Sequence, residues 1–261
     1  MQMKASDGTM LGVVEDGDPN GAPLVFANPL GTDLSFWDAQ IATFADRRVI
    51  RYDHAGTGRS GLRAAAASIG RAAQDVIDIL DALSLPRADF VGLSLGGMVG
   101  MELGATHGSR IGKLVLANTT PHIPLTDMWN GRIAQARADG LADIAAPTLS
   151  RWLPDGFPDE MPDTYRTLVD MFLATPVEGY VACCTILRDT DQRGKLARIA
   201  NETLVIYGDK DVASPLDVAR GMAEAIPNAR LQAIADAAHL ANVEQPAEFN
   251  AVVADFLGTP N

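Results

Sequence analysis

Ser94 stands at the centre of Gly92-Leu93-Ser94-Leu95-Gly96, a G-x-S-x-G pentapeptide. A short apolar run begins at Asp89 and leads into it, and a helix-like stretch from Met98 to His107 follows. Between a strand and a helix this pattern is a nucleophile elbow, a turn so sharp that its apical serine is held in a strained backbone conformation. Bulky side chains two positions to either side would collide with the strand and the helix, which accounts for glycine at 92 and 96. A hydroxyl presented this way could attack a carbonyl carbon once a base takes its proton. The pentapeptide alone also fits a solvated Gly/Ser turn; the flanking strand and helix signals favour the chemical reading.

The base must come from four histidines. His54 falls in a loop, His107 at the end of the elbow helix and His122 at the start of the middle segment. His239, in Ala237-Ala238-His239-Leu240, follows the last strand pattern and precedes the last helix pattern, so it returns over the end of a sheet toward Ser94. A carboxylate is then needed to hold the imidazole tautomer and stabilise its cation. In elbow proteins of this order it lies between the serine and the histidine, after a strand. Tyr207-Gly208-Asp209-Lys210-Asp211 offers two candidates. Asp211, deeper in the loop, is favoured, while Asp209 is better placed to cap the turn. Developing negative charge on the attacked carbonyl calls for two backbone N–H donors. Leu95, first in the elbow helix, is one, aided by the helix dipole. The loop after Leu24-Val25-Phe26-Ala27 supplies the other; Pro29 has no N–H, so the donor is Leu30.

The elements that must position these groups follow a βα rhythm. Residues Thr9 to Glu15 read as an edge hairpin ahead of the turn cluster Asp16 to Gly21. Continuous apolar runs at Leu24–Ala27, Arg48–Asp53, Asp89–Leu93, Leu114–Ala117 and Thr203–Gly208 have the look of strands buried on both faces, with a further strand near Arg230–Ile234. Helical spacing is predicted over Leu34–Ala45, Ile69–Leu83, Leu216–Ala225 and Pro246–Leu257. This alternation implies an α/β fold, a mostly parallel central sheet with helices on both faces. From Pro121 to about Leu196 the strand pattern stops, and helix-like pieces are divided by Pro147, Pro154, Pro158, Pro162 and Pro176. Residues 1–120 and 197–261 therefore form the core, and 121–196 a helical cap over the C-terminal edge of the sheet, where α/β proteins bind ligands.

Composition narrows the partners. The chain has 261 residues, 47% of them hydrophobic, enough for a sizeable core, and a formal net charge of -12. That charge argues against nucleic acid or an anionic membrane surface as partner, and any anionic substrate needs a local cluster of positive charge. No apolar run reaches membrane-spanning length and the N-terminus lacks a secretory pattern, so a cytoplasmic location is expected. The two cysteines, Cys183 and Cys184, are adjacent and read as buried apolar side chains in a reducing compartment rather than a disulfide or metal site.

On these residues the chain resembles the α/β-hydrolase superfamily over its full length, and within it is similar to the enol-lactonases that act on 3-oxoadipate enol-lactone in aromatic-compound catabolism, the β-ketoadipate pathway. The resemblance is carried by Asn28 to Trp37, Arg51-Tyr52-Asp53, Gly92 to Gly97, Trp129-Asn130-Gly131-Arg132, Glu178-Gly179-Tyr180 and the stretches Ala238-His239 and Asn242-Val243-Glu244. It implies a triad of Ser94, Asp211 and His239, with Trp129 and Arg132 as cap residues facing the substrate. Trp129 would be a flat wall over a lactone ring, and Arg132 a fork for its carboxylate; the plainer alternatives are cap core for Trp129 and a solvated helix position for Arg132. The chain departs from the family pattern at Ala55, where an arginine is usual, and at Pro29, where a small residue with an N–H is usual. The implied reaction needs no metal or organic cofactor and has a small molecule as its only partner. A small-ester hydrolase or a cofactor-free perhydrolase would share the triad, and a non-catalytic ligand sensor is a remoter reading. A haloalkane dehalogenase needs an aspartate where Ser94 stands.

Overall fold

The computed structural model describes residues 1–258. Within them the strands β1 (Gln2–Lys4), β2 (Met10–Gly17), β3 (Pro23–Ala27), β4 (Arg48–Tyr52), β5 (Ala88–Leu93), β6 (Ile111–Ala117), β7 (Thr203–Gly208) and β8 (Ala229–Ile234) form one sheet. Their order is β1-β2-β4-β3-β5-β6-β7-β8. The hairpin β1–β2 and the β2–β4 pair are antiparallel, and every later pair is parallel. Leu24 to Ala27, Phe90 to Leu93 and Leu114 to Ala117 are buried throughout. Burial on both faces is why these strands read as unbroken apolar runs rather than as alternating ones.

Ile69–Ala82 covers the sheet with an amphipathic face that includes Ala73, Val76 and Leu80, and Ser68 caps its first turn by accepting the Arg71 N–H at 3.2 Å. Leu95–Thr106, by contrast, is buried almost all round, because it runs between the sheet and its neighbours. It begins at Leu95, as the choice of Leu95 for an oxyanion donor requires, ahead of the helix-like stretch that starts at Met98.

Two local expectations differ from the structure. Leu34–Ala45 is not one helix but a 3₁₀ turn, Leu34–Trp37, followed by a single α-turn, Asp38–Ile41. The neighbours Phe36 and Trp37 are both buried, with ring centroids 5.3 Å apart, and Trp37 also packs on Phe26 at 4.8 Å. The Asp33 carboxylate starts the tighter turn by accepting the Ser35 N–H at 2.8 Å. Pro147 does not divide helical pieces; it lies inside the helix Ala142–Trp152. Its ring is exposed while Ile144, Thr148 and Leu149 face inward, so the carbonyl it leaves unpaired lies on the solvent side.

Between β6 and β7 run the helices Thr126–Asp139, Ala142–Trp152, Phe157–Glu160, Pro162–Ala174 and Val177–Asp189. Thr126–Asp139 packs on Val177–Asp189, and Ala142–Trp152 on Pro162–Ala174. Cys183 and Cys184 are free and buried in the last of them. Among the described residues, no single helix is long and apolar enough to cross a membrane.

Candidate active site

Ser94 joins β5 to the helix Leu95–Thr106 with φ 55° and ψ −113°, a backbone conformation that a side-chain-bearing residue occupies only under constraint. The constraint is visible on both sides of it. A Cβ at Gly92 would lie 2.2 Å from the Gly96 carbonyl oxygen, and one at Gly96 would lie 2.1 Å from that of Ala27. No side chain fits in either place, so strand and helix close to backbone contact and the serine is pushed outward. The Ser94 N–H donates to Ala117 O at 2.9 Å and the Gly96 N–H to Asn28 O at 3.1 Å, pinning the turn to both neighbouring strand ends.

His239 brings its Nε2 to 3.0 Å from Ser94 Oγ, and its Nδ1 to 2.9 Å from Asp211 Oδ2. With the ring proton on Nδ1, the imidazole donates to the carboxylate and can accept the serine proton. The ring is fixed from the backbone, where the His239 N–H donates to Trp152 O at 2.9 Å, and from the side, where the Trp152 ring lies 5.6 Å away. The other histidines do not reach the serine. His54 is buried against Asn28 O, His107 contacts Thr106, and His122 bonds Thr190 O through Nδ1.

Of the two aspartates after β7, it is Asp211 that meets His239. Asp209 is exposed, and its carboxylate takes no hydrogen bond among the described residues. The turn-capping role also belongs to Asp211, whose Oδ1 accepts the N–H groups of Ala213 at 2.8 Å and Ser214 at 3.0 Å. Burial alone would push this carboxyl up. The charge and hydrogen bond of His239, the Asn118 amide and the Ser214 N–H outweigh burial and hold it down to about 2.

Leu30 and Leu95 are buried beside Ser94, one in the loop after β3 and the other at the first helical position after the elbow. Among the described residues, neither backbone N–H is engaged with an acceptor. First-turn amides of a helix have no partner within the helix, and a buried unpaired N–H is uncommon. Two such donors next to a strained serine suit a developing oxyanion.

Above this constellation lies a cavity of about 310 Å³, which takes Leu30, Ser94, Thr119, Ser214 and His239 from the C-terminal ends of the strands and Trp129, Arg132 and Trp152 from the helices after β6. Trp129 is buried and carries the Arg132 guanidinium over its ring at 5.6 Å. Burial pushes the Tyr180 phenol and the Cys184 thiol up, the latter to about 12, and the nearby Arg132 charge pulls against both. Arg132 has no acidic partner among the described residues, and neither has Arg151, exposed on the same cavity wall. No described aspartate or glutamate lines the cavity, although the chain has 33 of them. Two guanidinium groups on the wall of one cavity that has no described carboxylate suit an anion.

Several contributors to the site carry no sequence signal. Trp152 sits in a proline-bearing stretch with no motif, and Arg151 is one of many surface-type residues. Asn118 follows β6 with φ 45°. Its Nδ2 donates to Asp211 Oδ2 at 3.0 Å and to Ala238 O at 2.9 Å, which joins the loops bearing the carboxylate and the histidine.

Comparison with known proteins agrees with this fold. The family described as alpha/beta hydrolase fold matches residues 22–246. A 3-oxoadipate enol-lactonase of Acinetobacter baylyi is 35% identical over 251 residues, covering 96% of this chain and 94% of its own. Among solved structures, the enol-lactonase from Burkholderia xenovorans LB400 superposes with a TM-score of 0.94 at 35% identity, covering 99% of this chain and 100% of that one. A hydrolase from Pseudomonas aeruginosa PA01 gives 0.95 at 37% identity, covering 99% and 98%.

Proposed function

The chain belongs to the alpha/beta hydrolase fold family and is an ester-hydrolysing enzyme, and from that premise we propose that it opens a small carboxylate-bearing enol-lactone of the 3-oxoadipate type through an acyl-enzyme on Ser94. The observation that carries the substrate class is the cavity wall: Arg132 and Arg151 face it without a described carboxylate partner. The similarity to enol-lactonases supports the same choice and, with it, a place in aromatic-compound catabolism. A neutral ester would suit the serine and histidine equally but would leave both guanidinium groups without a counter-charge. In this reading residues 121–196 act as the cap that supplies Trp129 and Arg132.

Ser94 Oγ attacks the lactone carbonyl while His239 Nε2 takes its proton and Asp211 stabilises the imidazolium. The oxyanion lies between the N–H groups of Leu30 and Leu95. As the intermediate collapses, the ring C–O bond breaks and the enol oxygen leaves with the proton returned by His239, still tethered to the acyl chain. Relaxation of the enol to its ketone removes the nucleophile that could close the ring again. Water, deprotonated by His239, then attacks the acyl-enzyme and frees Ser94. The Arg132 guanidinium holds the distant carboxylate throughout, so it acts on substrate binding rather than on bond making.

Arg132→Ala tests the substrate class. It is expected to raise KM for a carboxylate-bearing lactone by roughly 10- to 100-fold, in line with loss of a charged hydrogen bond. Hydrolysis of p-nitrophenyl acetate should stay within about twofold of wild type, since uniform binding of a missing group costs nothing. Equal losses on both substrates would show that Arg132 serves only to pack the cavity wall.

A further inference from the structure

Glu244 ends the single-turn helix Ala241–Glu244, five residues beyond His239, and its side chain folds back over the chain it has just left. Its Oε2 accepts the Ala238 N–H at 2.6 Å and its Oε1 the Leu240 N–H at 2.8 Å. One carboxylate thus grips the peptide groups on either side of the histidine. The His239 N–H between them donates to Trp152 O at 2.9 Å, and Ala238 O receives Asn118 Nδ2 at 2.9 Å. The imidazole therefore projects from a loop whose flanking amides are both held by Glu244, with Asn118 adding a bond to the Ala238 carbonyl. The carboxylate touches neither Ser94 nor the cavity, and no described cation pairs with it.

We propose that Glu244 is a positioning residue for His239: its ionised carboxylate, by holding both flanking amides, aligns the imidazole with Ser94, and its protonation loosens that grip and lowers activity. This inference rests on the reading of Ser94 as nucleophile and His239 as base, though not on the identity of the lactone. A carboxylate accepts through both oxygens, whereas a carboxylic acid turns one of them into a hydroxyl that serves mainly as donor. Hydrogen bonds from N–H to an ionised oxygen are about twice as strong as neutral ones. Protonation therefore weakens both contacts and opposes one.

The surroundings of Glu244 favour that protonation: burial pushes its carboxyl up, the Ala238 and Leu240 amides pull it back, Asp211 pushes it further up and His239 pulls it down, leaving it at about 7. Lys210, exposed and paired with Asp236, also senses its charge. Protonation of Glu244 therefore removes activity toward acid in addition to any other acid loss at the site, and a chain without this carboxyl should lack that part of the loss.

The test is the rate of Ser94 phosphonylation by a fluorophosphonate, followed between pH 5 and pH 9 on the intact chain. In that reaction the Oγ–P bond forms, the P–F bond breaks, fluoride leaves and His239 takes the serine proton. Glu244→Gln, which cannot ionise and offers only one acceptor, should be slower than wild type by roughly 10-fold at pH 8, as small misplacements of a catalytic group are, and that gap should narrow toward pH 5 as the wild-type carboxyl is protonated. A Glu244→Gln rate equal to wild type at pH 8, or a gap that does not change with pH, would overturn the proposal. If that variant does not fold, as judged by circular dichroism, Glu244→Asp, which ionises but is one methylene shorter, replaces it, and a wild-type rate for Glu244→Asp at pH 8 overturns the proposal. A wild-type chain not labelled at Ser94 would remove the nucleophile reading and this inference with it.

Discussion

Asn118 Nδ2 lies 3.0 Å from Asp211 Oδ2, the same oxygen that meets His239 Nδ1 at 2.9 Å. Two donors thus converge on one carboxylate oxygen, while Oδ1 is taken by the amides of Ala213 and Ser214. The carboxylate cannot turn without breaking several of these bonds at once. Its direction toward His239 is therefore set by the protein before any substrate arrives.

This arrangement separates Asp211 from its neighbour Asp209. Asp211→Asn keeps the shape but presents an amide where the imidazole needs an acceptor for its Nδ1 proton, which favours the wrong tautomer. A fall in kcat of about 10³- to 10⁴-fold is expected, with little change in KM. Asp209→Asn, at an exposed position with no bond to His239, should stay within about twofold on the surface-substitution scale. Steady-state kinetics on one ester substrate compares the two variants, and similar losses in both would remove Asp211 from its proposed role.

The same contacts give stability a dependence on pH. Asp211 titrates from 3.8 in the unfolded chain and from about 2 when folded. As pH falls, the unfolded chain takes up its proton first. The contribution of Asp211 is thus complete above 3.8 and is lost as pH drops through about 2, amounting to about 2 kcal/mol. Glu244 has the opposite sign in a higher window: its carboxyl is raised from 4.5 to about 7, so its contribution declines as pH rises between these values. Other lowered carboxyls, such as that of Asp7, also titrate in acid. Urea denaturation of wild type and Asp211→Asn from pH 5 to pH 2 should therefore show the stability gap between them narrowing toward acid. A constant gap would mean that the folded protein does not hold this carboxylate ionised.

The sheet was legible because strands buried on both faces leave continuous apolar runs, as in Leu24–Ala27 and Leu114–Ala117. Ser94 was legible because the elbow demands glycine at fixed distances, and His239 because few histidines compete for a place at the end of β8. Leu34–Ala45 was misread because the burial of adjacent Phe36 and Trp37 depends on Phe26 and Phe249, rings distant in the chain. Asn118 and Glu244 show the same limit at the site. An asparagine at φ 45° and a glutamate folded back on two amides are marked by tertiary contacts and not by spacing. The choice between Asp209 and Asp211 is of this kind as well, since only the path of the loop after β7 decides which carboxylate meets the imidazole.

The most direct test of the whole account is kcat/KM for 3-oxoadipate enol-lactone beside p-nitrophenyl acetate, with Ser94→Ala as control. The expected result is a preference for the enol-lactone of about 10²-fold or more, the scale set by a substrate anion meeting its counter-charge. Both activities should fall by at least about 10³-fold in Ser94→Ala. Ester turnover without lactone turnover, or turnover of either that survives loss of the Ser94 hydroxyl, would contradict it.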